Sequence, residues 1–450
     1  MSFHATLTQL IDVLGATAEN LTEQALTQTA IGITTDSRSL RPGEVFLGLR
    51  GEKFDGHEFV SQASKRGAIA AIVDFQFRVL DLPILRVKDT LEAYQAIAHW
   101  WRNQFKIPII AITGSVGKTT TKELIAAVLS KYGNVLKTQA NYNNEIGVPK
   151  TLLELGQFHN YAVVEMGMRA RGEIALLSQI ARPDIAVITN VGTAHIGRLG
   201  SEEAIAEAKC ELLAEMPKDA IAILNHDSPL LIQTAQTVWQ GQTFTYGLEG
   251  GDLCGQLIDA ETLKVGDRLL PLPLPGQHNA LNYLAALAVA EALNLDGAAL
   301  TAGVNVVIPG GRSRRYELPN DVVILDETYN AGLESMLAAL RLLSDTPGKR
   351  HIAVLGTMKE LGDWSVPFHR QVGEMAKQLN LDGLLILADD AEAEAMTIGA
   401  SPLKSERFST HEEVVARLRE SVRSGDRLLF KASRTVGLDQ VVEQFRSQCQ

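Results

Sequence analysis

The chain has 450 residues, of which 46% are hydrophobic and 21% charged, and this length and composition are typical of a globular protein with about two to four domains. Its formal net charge of −11 argues against nucleic acid as a general partner, because phosphate backbones are bound by a surplus of lysine and arginine. Three widely spaced cysteines form neither a disulfide framework nor a zinc pattern, and we find no signal peptide and no membrane span, so we expect a cytoplasmic protein.

The first section of the chain, residues 1–87, contains short strand candidates. Val45–Leu49 and Ile69–Val73 are apolar runs of strand length, and a loop from Gly51 to His57 lies between them. Apolar residues at helical spacing then predict a helix over Thr90–Trp101. We therefore place the first domain boundary between residues 87 and 88.

A phosphate-binding loop is predicted near the start of the second section. A strand candidate, Ile109–Ile112, and a helix candidate, Lys122–Leu129, flank a turn that reads Thr-Gly-Ser-Val-Gly-Lys-Thr-Thr-Thr. In such a turn the backbone N–H groups surround one anion, the lysine reaches the β- and γ-phosphates, and the hydroxyl of the next threonine binds Mg²⁺. We assign binding of ATP or GTP to Gly114, Ser115, Val116, Gly117, Lys118, Thr119 and Thr120.

The motif lacks one glycine of its longer form, because Ile112 stands at that position. A plain glycine-rich turn is therefore the alternative. The strand before the turn and the helix after it favour the phosphate-binding interpretation.

Strands and helices alternate through the rest of the second section, residues 88–311. Tyr161–Val164, Ile185–Ile188 and Ile221–Leu224 are strand candidates separated by helical stretches, which is typical of a mostly parallel sheet. A small β-excursion is predicted over 241–275 and a helix over 279–293.

The third section, residues 312–450, repeats this alternation. Its strand candidates are Val322–Leu325, His351–Leu355, Gly383–Leu387 and Arg427–Lys431. They predict a second, Rossmann-like unit with a doubly wound sheet. The chain is thus expected to be an α/β protein of three domains, 1–87, 88–311 and 312–450.

Three polar residues of the second section follow predicted strands or the phosphate loop. Thr119 begins the helix after the loop, and Glu165 and His195 each follow a strand. Because ligands bind beyond the carboxyl ends of parallel strands, these groups are expected to surround a metal-bound phosphate. An ordinary loop acid and a structural histidine are the alternatives.

For two basic features of the sequence, a solvated surface position and a functional role are both open. Lys209 lies in a predicted helix, where spacing alone favours a surface lysine paired with a nearby glutamate (Glu202, Glu203 or Glu207). A cluster of arginines at the boundary between the second and third sections is either solvated or binds phosphate between the two sections. Guanidinium groups suit the second role because they donate paired hydrogen bonds to phosphate oxygens. The cluster consists of Arg312, Arg314 and Arg315.

Stretches along nearly the whole chain resemble the Mur ligases, a family of ATP-dependent amide-forming enzymes of peptidoglycan synthesis whose phosphate loop also lacks the first glycine. The matching stretches are 35–38, 51–57, 113–120, 141–149, 165–167, 190–195, 208–209, 276–282, 355–362 and 431–434. Residues 326–331, Asp-Glu-Thr-Tyr-Asn-Ala, resemble the members that use D-alanyl-D-alanine more than diamino-acid-adding members or folylpolyglutamate synthases. Glu327, Thr357 and Ala432 depart from the usual residues of those members.

The resemblance implies a set of site residues. It implies a uridine-nucleotide site in the first domain, completed by two asparagines of the second, at Ser37, Arg38, Phe54, Asp55, Gly56, His57, Asn141 and Asn144. Beyond the loop it implies ATP contacts at His278, Asn282, Arg312, Asp326, Tyr329 and Asn330. The implied metal ligands are Thr119, Glu165, His195 and a carbamylated Lys209, and the implied catalytic residues are Lys118, Glu165, His195, Lys209 and Arg312.

The resemblance also implies an activity. A monomer would use ATP and Mg²⁺ to phosphorylate a carboxylate of UDP-N-acetylmuramoyl-tripeptide and join the acyl phosphate to D-alanyl-D-alanine, releasing ADP and phosphate. The alternatives are another ligase of the same family or a nucleotide-gated switch. An Asn-Lys-x-Asp guanine signature is absent from the sequence, which argues against a GTPase switch.

Overall fold

The computed structural model describes residues 3–51, 54–78 and 82–448, so positions 52 and 53 of the predicted first-section loop and Cys449 lie outside the described residues. Within these ranges strands and helices alternate, and the strands form three larger sheets. The predicted three-domain α/β architecture is confirmed. No helix of the described ranges combines the length and the apolar character needed to cross a membrane.

The first section forms a small, mostly parallel sheet. Its strands are β1 (Ala5–Thr6), β2 (Thr17–Glu19), β3 (Thr29–Ala30), β4 (Ile33–Thr34), β5 (Val45–Leu47), β6 (Ala70–Asp74) and β7 (Ile84–Val87), and its helices are α1 (Leu7–Leu14), α2 (Glu23–Leu26) and α3 (Val60–Lys65). The sheet order is β2-β7-β6-β5-β4, with β2 antiparallel, and β1 pairs with β3 apart from it. The predicted strands correspond to β5 and β6.

Helix α4 (Thr90–Arg102) follows β7 and confirms the helix predicted over 90–101. Asp89 caps its first turn by accepting hydrogen bonds from the backbone N–H groups of Leu91 and Glu92. The buried side of α4 packs against α1 and against helices of the second section. The chain therefore enters the second sheet from a helix that contacts both sections.

The second section forms a sheet of nine strands. These are β8 (Ile109–Thr113), β9 (Val135–Lys137), β10 (Tyr161–Glu165), β11 (Ile185–Ile188), β12 (Ile221–Asn225), β13 (Gln242–Gly247), β14 (Leu253–Leu257), β15 (Thr262–Val265) and β16 (Arg268–Pro271), in the order β16-β15-β14-β13-β12-β11-β8-β10-β9. Strands β8 to β14 are parallel, and β15 and β16 run antiparallel at one edge. The β-excursion predicted over 241–275 thus extends the main sheet.

Seven helices connect these strands. They are α5 (Lys118–Leu129), α6 (Gly147–Leu153), α7 (Glu173–Ala181), α8 (Ile196–Leu199), α9 (Glu202–Glu215), α10 (Pro229–Val238) and α11 (Gln277–Ala292). Helix α11 is apolar on most sides and buried along most of its length, as expected of a helix inside a core. Its contact with α5 brings its first turn beside the phosphate loop.

The third section has the predicted doubly wound sheet. Its strands are β17 (Arg314–Leu318), β18 (Val322–Asp326), β19 (Arg350–Gly356), β20 (Gly383–Leu387), β21 (Ser405–Arg407) and β22 (Asp426–Lys431), and its helices are α12 (Leu333–Asp345), α13 (Ser365–Gln378), α14 (Asp390–Ala400), α15 (His411–Ser421) and α16 (Leu438–Gln448). The sheet order is β17-β18-β22-β19-β20-β21, and all neighbours except β17 and β18 are parallel. The chain runs outward from β19 through β20 to β21 and then returns to β22 on the other side of β19. The topological switch point, where ligands bind in sheets of this kind, therefore lies between β19 and β22.

Candidate active site

A cavity of about 1380 Å³ lies where the three sections meet. The first section contributes Thr35 and Asp36 to its wall, and the second contributes the phosphate loop and the carboxyl ends of β10 and β11. The third section contributes residues that follow β18 and β22. A cavity of this size holds ligands larger than a single nucleotide.

The phosphate loop needs glycine at two positions. Gly114 and Gly117 have φ angles of 151° and 84°, in the region that side chains disfavour. A Cβ atom on Gly114 would lie 1.9 Å from Thr189 Oγ1, and one on Gly117 would lie 2.6 Å from Asn282 Oδ1. The loop backbone is therefore pressed against β11 on one side and α11 on the other.

The segment after β11 holds the loop from behind. Asn190 accepts a hydrogen bond from Ser115 N through its backbone oxygen at 3.1 Å and one from Val116 N through its side chain at 3.0 Å. Ser115 Oγ donates to Gly192 O at 3.1 Å and accepts from Gly192 N at 2.9 Å. These contacts were not predicted from sequence, and they fix the loop before any ligand binds.

Lys118 opens helix α5 and lies over the loop. Its ammonium donates to Gly114 O at 2.8 Å and to Ser115 O at 3.3 Å. Burial lowers the pKa of Lys118, the charge of Glu165 opposes this shift, and the charge of Arg312 adds to it. The next residue, Thr119, is buried at 4% exposure and lines the cavity, as predicted for a hydroxyl that faces a phosphate-bound metal.

Glu165 ends strand β10 with a carboxylate that is only partly satisfied. Its Oε1 accepts a hydrogen bond from Asn143 Nδ2 at 2.8 Å. Its Oε2 is buried and accepts no hydrogen bond within the described residues, although Lys122 Nζ lies 3.7 Å away. A buried carboxylate oxygen without a donor suits a cation, which the donor types present here would hold.

His195 follows β11 and caps α8 with a φ of 69°. Its Nδ1 lies 2.9 Å from Glu360 Oε2, a residue of the third section. The pKa of His195 is lowered by burial and by the positive charge of Lys118, while Glu360 raises it. The imidazole thus favours the neutral form that a metal ligand needs.

Lys209 lies on α9 and is only 1% exposed, so the surface alternative for this residue is wrong. No hydrogen bond or ion pair reaches its amine within the part of the chain that the structure describes, and Glu207 pairs instead with Arg171 at 2.6 Å. Burial lowers the pKa of Lys209 well below its usual value, and Lys118 adds to the effect. Lys209 is not among the residues that line the cavity, but its charge lowers the pKa of His195.

The three arginines of the basic cluster lie in different surroundings in the structure. Arg312 lines the cavity and stacks 3.7 Å from the ring centroid of Tyr329, with a buried Nε that has no hydrogen-bond partner among the described residues. Arg314 and Arg315 are exposed on edge strand β17. Of the three, Arg312 is therefore the one placed to meet an anion in the cavity.

The residues expected around the nucleotide base and ribose divide into two groups. His278, Asn282, Tyr329 and Asn330 line the cavity, and burial lowers the pKa of His278 to about 4, with Lys431 adding to the shift. Asp326 is buried and is not among the described lining residues. Its Oδ1 accepts hydrogen bonds from Thr328 N at 3.1 Å and Thr328 Oγ1 at 2.6 Å.

Glu327 and Lys431 are charged lining residues of the third section that were not predicted as site residues. Burial raises the pKa of Glu327, and burial lowers the pKa of Lys431, whose ammonium donates to Asn330 O at 3.0 Å. Lys431 belongs to one of the stretches that carry the family resemblance, so a signal for it was present. Glu327 lies within residues 326–331, which also carry the resemblance, but it departs from the usual residue there.

Comparison with known proteins assigns the chain to a family. Residues 30–99 match the Mur ligase family catalytic domain, residues 112–290 the Mur ligase middle domain, and residues 311–434 the Mur ligase glutamate ligase domain. A UDP-N-acetylmuramoyl-tripeptide–D-alanyl-D-alanine ligase of Synechocystis is 60% identical over 414 residues, which cover 92% of this chain and 91% of the relative. The chain belongs to the Mur ligase family.

Solved structures agree over the whole length. A crystal structure of MurF from Acinetobacter baumannii has a TM-score of 0.89 and 31% identity, covering 99% of each chain. MurF ligase from Thermotoga maritima, solved in complex with ADP, has a TM-score of 0.82 and 32% identity, covering 93% of this chain and 97% of that one. The family and the fold of this Mur ligase thus rest on sequence and structure together.

Most of the residues expected at the uridine site of this Mur ligase build the first domain itself. His57 Nδ1 lies 2.5 Å from Asp55 Oδ1, and its Nε2 accepts from Asp74 N at 3.1 Å. A Cβ on Gly56 would lie 2.5 Å from Leu49 O, so the turn requires glycine. Phe54 is 61% exposed, and none of these residues is among the described lining of the cavity.

The remaining expected uridine-site residues lie nearer to the cavity. Ser37 donates to Gln62 Oε1 at 2.7 Å, and Arg38 pairs with Asp36 at 2.9 Å, which lowers the pKa of Asp36 to about 2. Asp36 itself lines the cavity, although it was not predicted to. Asn141 and Asn144 line the opposite wall, and Asn144 Oδ1 caps α6 by accepting from Gly147 N at 2.9 Å.

The Mur ligase also contains a buried charge network beside the cavity. Lys122 is 1% exposed, donates to Thr138 O at 2.8 Å and lies 3.1 Å from Glu123 Oε1. Glu123 also pairs with Lys137. Lys122 therefore separates the carboxylates of Glu123 and Glu165.

Replacing Lys122 with alanine is expected to destabilise the protein by about 3–5 kcal/mol, because the change leaves two buried carboxylates without their shared cation. Urea denaturation followed by fluorescence measures the loss. Lys131→Ala, at an exposed lysine in the turn after the same helix, is the control and should leave the denaturation midpoint unchanged. Equal midpoints for Lys122→Ala and the wild type would show that the network does not stabilise the fold.

Proposed function

We propose that this Mur ligase joins D-alanyl-D-alanine to UDP-N-acetylmuramoyl-tripeptide in the synthesis of peptidoglycan precursors, using ATP and releasing ADP and phosphate. The observation that carries the proposal is a phosphate loop that opens into one cavity walled by all three domains. The 60% identical relative, named for this reaction, supports the choice of substrates.

The chemistry explains why ATP is required. A carboxylate does not form an amide with an amine at neutral pH, because its oxygen is a poor leaving group. A carboxylate oxygen attacks the γ-phosphorus, and the bond to the β–γ bridging oxygen breaks as ADP leaves. The amine then attacks the acyl carbon and loses a proton, and the tetrahedral intermediate releases phosphate as the amide forms.

The first step brings two anions together, and cationic residues must offset their repulsion. Lys118 is proposed to shift from the loop carbonyls to the γ-phosphate. Arg312, with its unpartnered Nε and its stacking on Tyr329, is proposed to bind the transferred phosphoryl group. Both side chains are held over the same cavity from opposite domains.

We propose that Thr119 and Glu165 hold one magnesium ion and that His195 and a carbamylated Lys209 hold a second. The buried Oε2 of Glu165, which accepts no hydrogen bond among the described residues, supports a cation at this place. When bound, Mg²⁺ would supply positive charge that stabilises the transferring phosphoryl group. A carboxylate, a hydroxyl and a carbamate are the oxygen donors that this ion prefers.

Carbamylation of Lys209 follows from its surroundings. The neutral amine attacks the carbon of CO₂ and releases a proton, which gives an anionic carbamate. An ammonium group has no electron pair for this attack. The lowered pKa of Lys209, caused by burial, keeps the amine neutral and thus reactive.

The nucleotide and the UDP-linked substrate are proposed to bind at different walls of the cavity. His278, Asn282, Tyr329 and Asn330 face the ATP side, and Asp326 shapes this wall through its bonds to Thr328. The first domain, with Asn141 and Asn144, holds the UDP-linked substrate. We propose that Ser37, Arg38, Phe54, Asp55, Gly56 and His57 build or edge its uridine pocket.

We also propose a monomeric, cytoplasmic enzyme with domain boundaries at 87/88 and 311/312. One chain supplies all three walls of the cavity, so catalysis needs no second subunit. Cys210 and Cys254 are free thiols, as expected in a reducing compartment.

A phosphate-release assay tests the proposed reaction. With UDP-N-acetylmuramoyl-tripeptide and ATP present, phosphate release is expected with D-alanyl-D-alanine and to be at least about 10²-fold slower with diaminopimelate or single amino acids. Faster release with diaminopimelate would favour a different ligase of the family. Release that ignores the acceptor would favour a nucleotide-gated switch.

A further inference from the structure

The contact between His195 and Glu360 joins two domains at the proposed metal site. His195 Nδ1 lies 2.9 Å from Glu360 Oε2, across 165 positions of sequence. Both residues have left-handed backbones, with φ of 69° and 65°. Such conformations are unfavourable for residues with side chains and concentrate at functional sites, so two of them facing each other call for an explanation.

The backbones around this pair are held close together. Arg198 Nη2 lies 3.3 Å from the other carboxylate oxygen of Glu360. A Cβ on Gly197 would lie 2.6 Å from Gly362 N, so only glycine allows this approach. The carboxylate of Glu360 is therefore fixed by a bond to each oxygen and by the packing of the two segments.

We propose that Glu360 is a positioning residue for His195: it accepts the Nδ1–H of the imidazole and leaves Nε2 as the metal-binding atom. This inference rests on the proposed function, in which His195 is a magnesium ligand. His195 Nε2 makes no hydrogen bond within the described residues, so its electron pair is free. A carboxylate behind a metal-bound imidazole fixes the tautomer and the ring orientation and makes the ligand more basic.

One consequence is that the third domain completes a site whose ligands lie in the second. His195, Glu165 and Thr119 belong to the second sheet, whereas Glu360 follows β19 in the third. The metal site is then fully ordered only when the two domains are in contact. Domain contact and metal affinity are coupled through this one hydrogen bond.

Manganese binding tests the inference with a readout other than turnover. Mn²⁺ is titrated into the full-length enzyme saturated with a non-hydrolysable ATP analogue and UDP-N-acetylmuramoyl-tripeptide, and free Mn²⁺ is followed by electron paramagnetic resonance. In Glu360→Ala, one Mn²⁺ is expected to bind about 10- to 100-fold more weakly, while the ion held by Thr119 and Glu165 is unaffected. Glu360→Gln should retain most of the affinity, because its amide oxygen accepts the same bond.

Arg198→Ala is the matched control, because it removes the ion pair to Glu360 and leaves the bond to His195 in place. Its loss of Mn²⁺ affinity should be much smaller than that of Glu360→Ala, because the bond to His195 and the packing of Gly197 against Gly362 remain. An equal loss in Arg198→Ala, or wild-type affinity in Glu360→Ala, would overturn the inference and leave the proposed reaction intact. Fewer than two bound Mn²⁺ in the wild type would overturn both the inference and the proposed metal ligands.

Discussion

Replacing Lys118 with alanine is expected to lower kcat for acceptor-dependent phosphate release at least about 10³-fold. The side chain is half-buried and holds its ammonium group over the phosphate loop, and its pKa is lowered chiefly by desolvation. It is the loop residue that can reach the γ-phosphate when the bonds to Gly114 O and Ser115 O break. The measurement is single-turnover phosphate release with saturating substrates.

Two controls separate loss of chemistry from loss of structure. Lys131→Ala removes an exposed lysine from the turn that follows helix α5 and should retain full activity. Thermal unfolding of Lys118→Ala should match the wild type within a few degrees, because the loop is also braced by Asn190 and Gly192. Near-normal turnover by a folded Lys118→Ala enzyme would refute the assignment of the phosphate loop.

The fold was largely predictable because its central strands are continuous apolar runs. Ile185–Ile188 and Gly383–Leu387 are buried strands with the predicted bounds. The strands that sequence reasoning missed are short or lie at sheet edges, such as Arg314–Leu318 and Ser405–Arg407. Edge strands are defined by pairing with a neighbour and carry polar residues, so their composition gives little signal.

The candidate site was predictable only where one sheet creates it. The rule that ligands bind beyond the carboxyl ends of parallel strands correctly predicted that Thr119, Glu165 and His195 lie at one cavity. Their positions depend on parallel strands of the same sheet. The contacts of Glu360 with His195 and of Glu334 with Thr193 span 165 and 141 residues between two domains. They depend on how separate domains pack, which no local pattern encodes.

Lys209 shows the same limit in another form. Glutamates on its helix, such as Glu202, Glu203 and Glu207, make the sequence look like a solvated surface, yet the side chain that bears the amine is buried. Glu202 and Glu203 lie in the first turn of α9, where negative charge stabilises a helix, and Glu207 pairs with Arg171. These acidic residues therefore stabilise the helix or pair with Arg171, and none of them pairs with the buried Lys209.

Replacing Lys209 with alanine is expected to lower kcat about 10²- to 10³-fold, because the enzyme loses a ligand that helps metal stabilise the phosphoryl group by several kcal/mol. Added acetate or propionate should restore part of the activity, since a short carboxylate fits the space left by the side chain and replaces the carbamate oxygens. The measurement is phosphate release by wild type and variant over a range of acetate concentrations. Lys118→Ala is the control, and acetate should not rescue it.

The unmodified lysine should also leave a mark on stability. Its folded-state pKa is well below that of the unfolded chain, so the unfolded protein binds a proton that the folded protein lacks. Stability then rises with pH between the lowered pKa and the unfolded value, and Lys209→Met should flatten this rise in CO₂-free buffer. Adding ¹³C-bicarbonate should give a carbamate resonance in the wild type and none in Lys209→Met. Wild-type turnover by Lys209→Ala, or the same resonance in Lys209→Met, would show that this amine is not the group that CO₂ modifies.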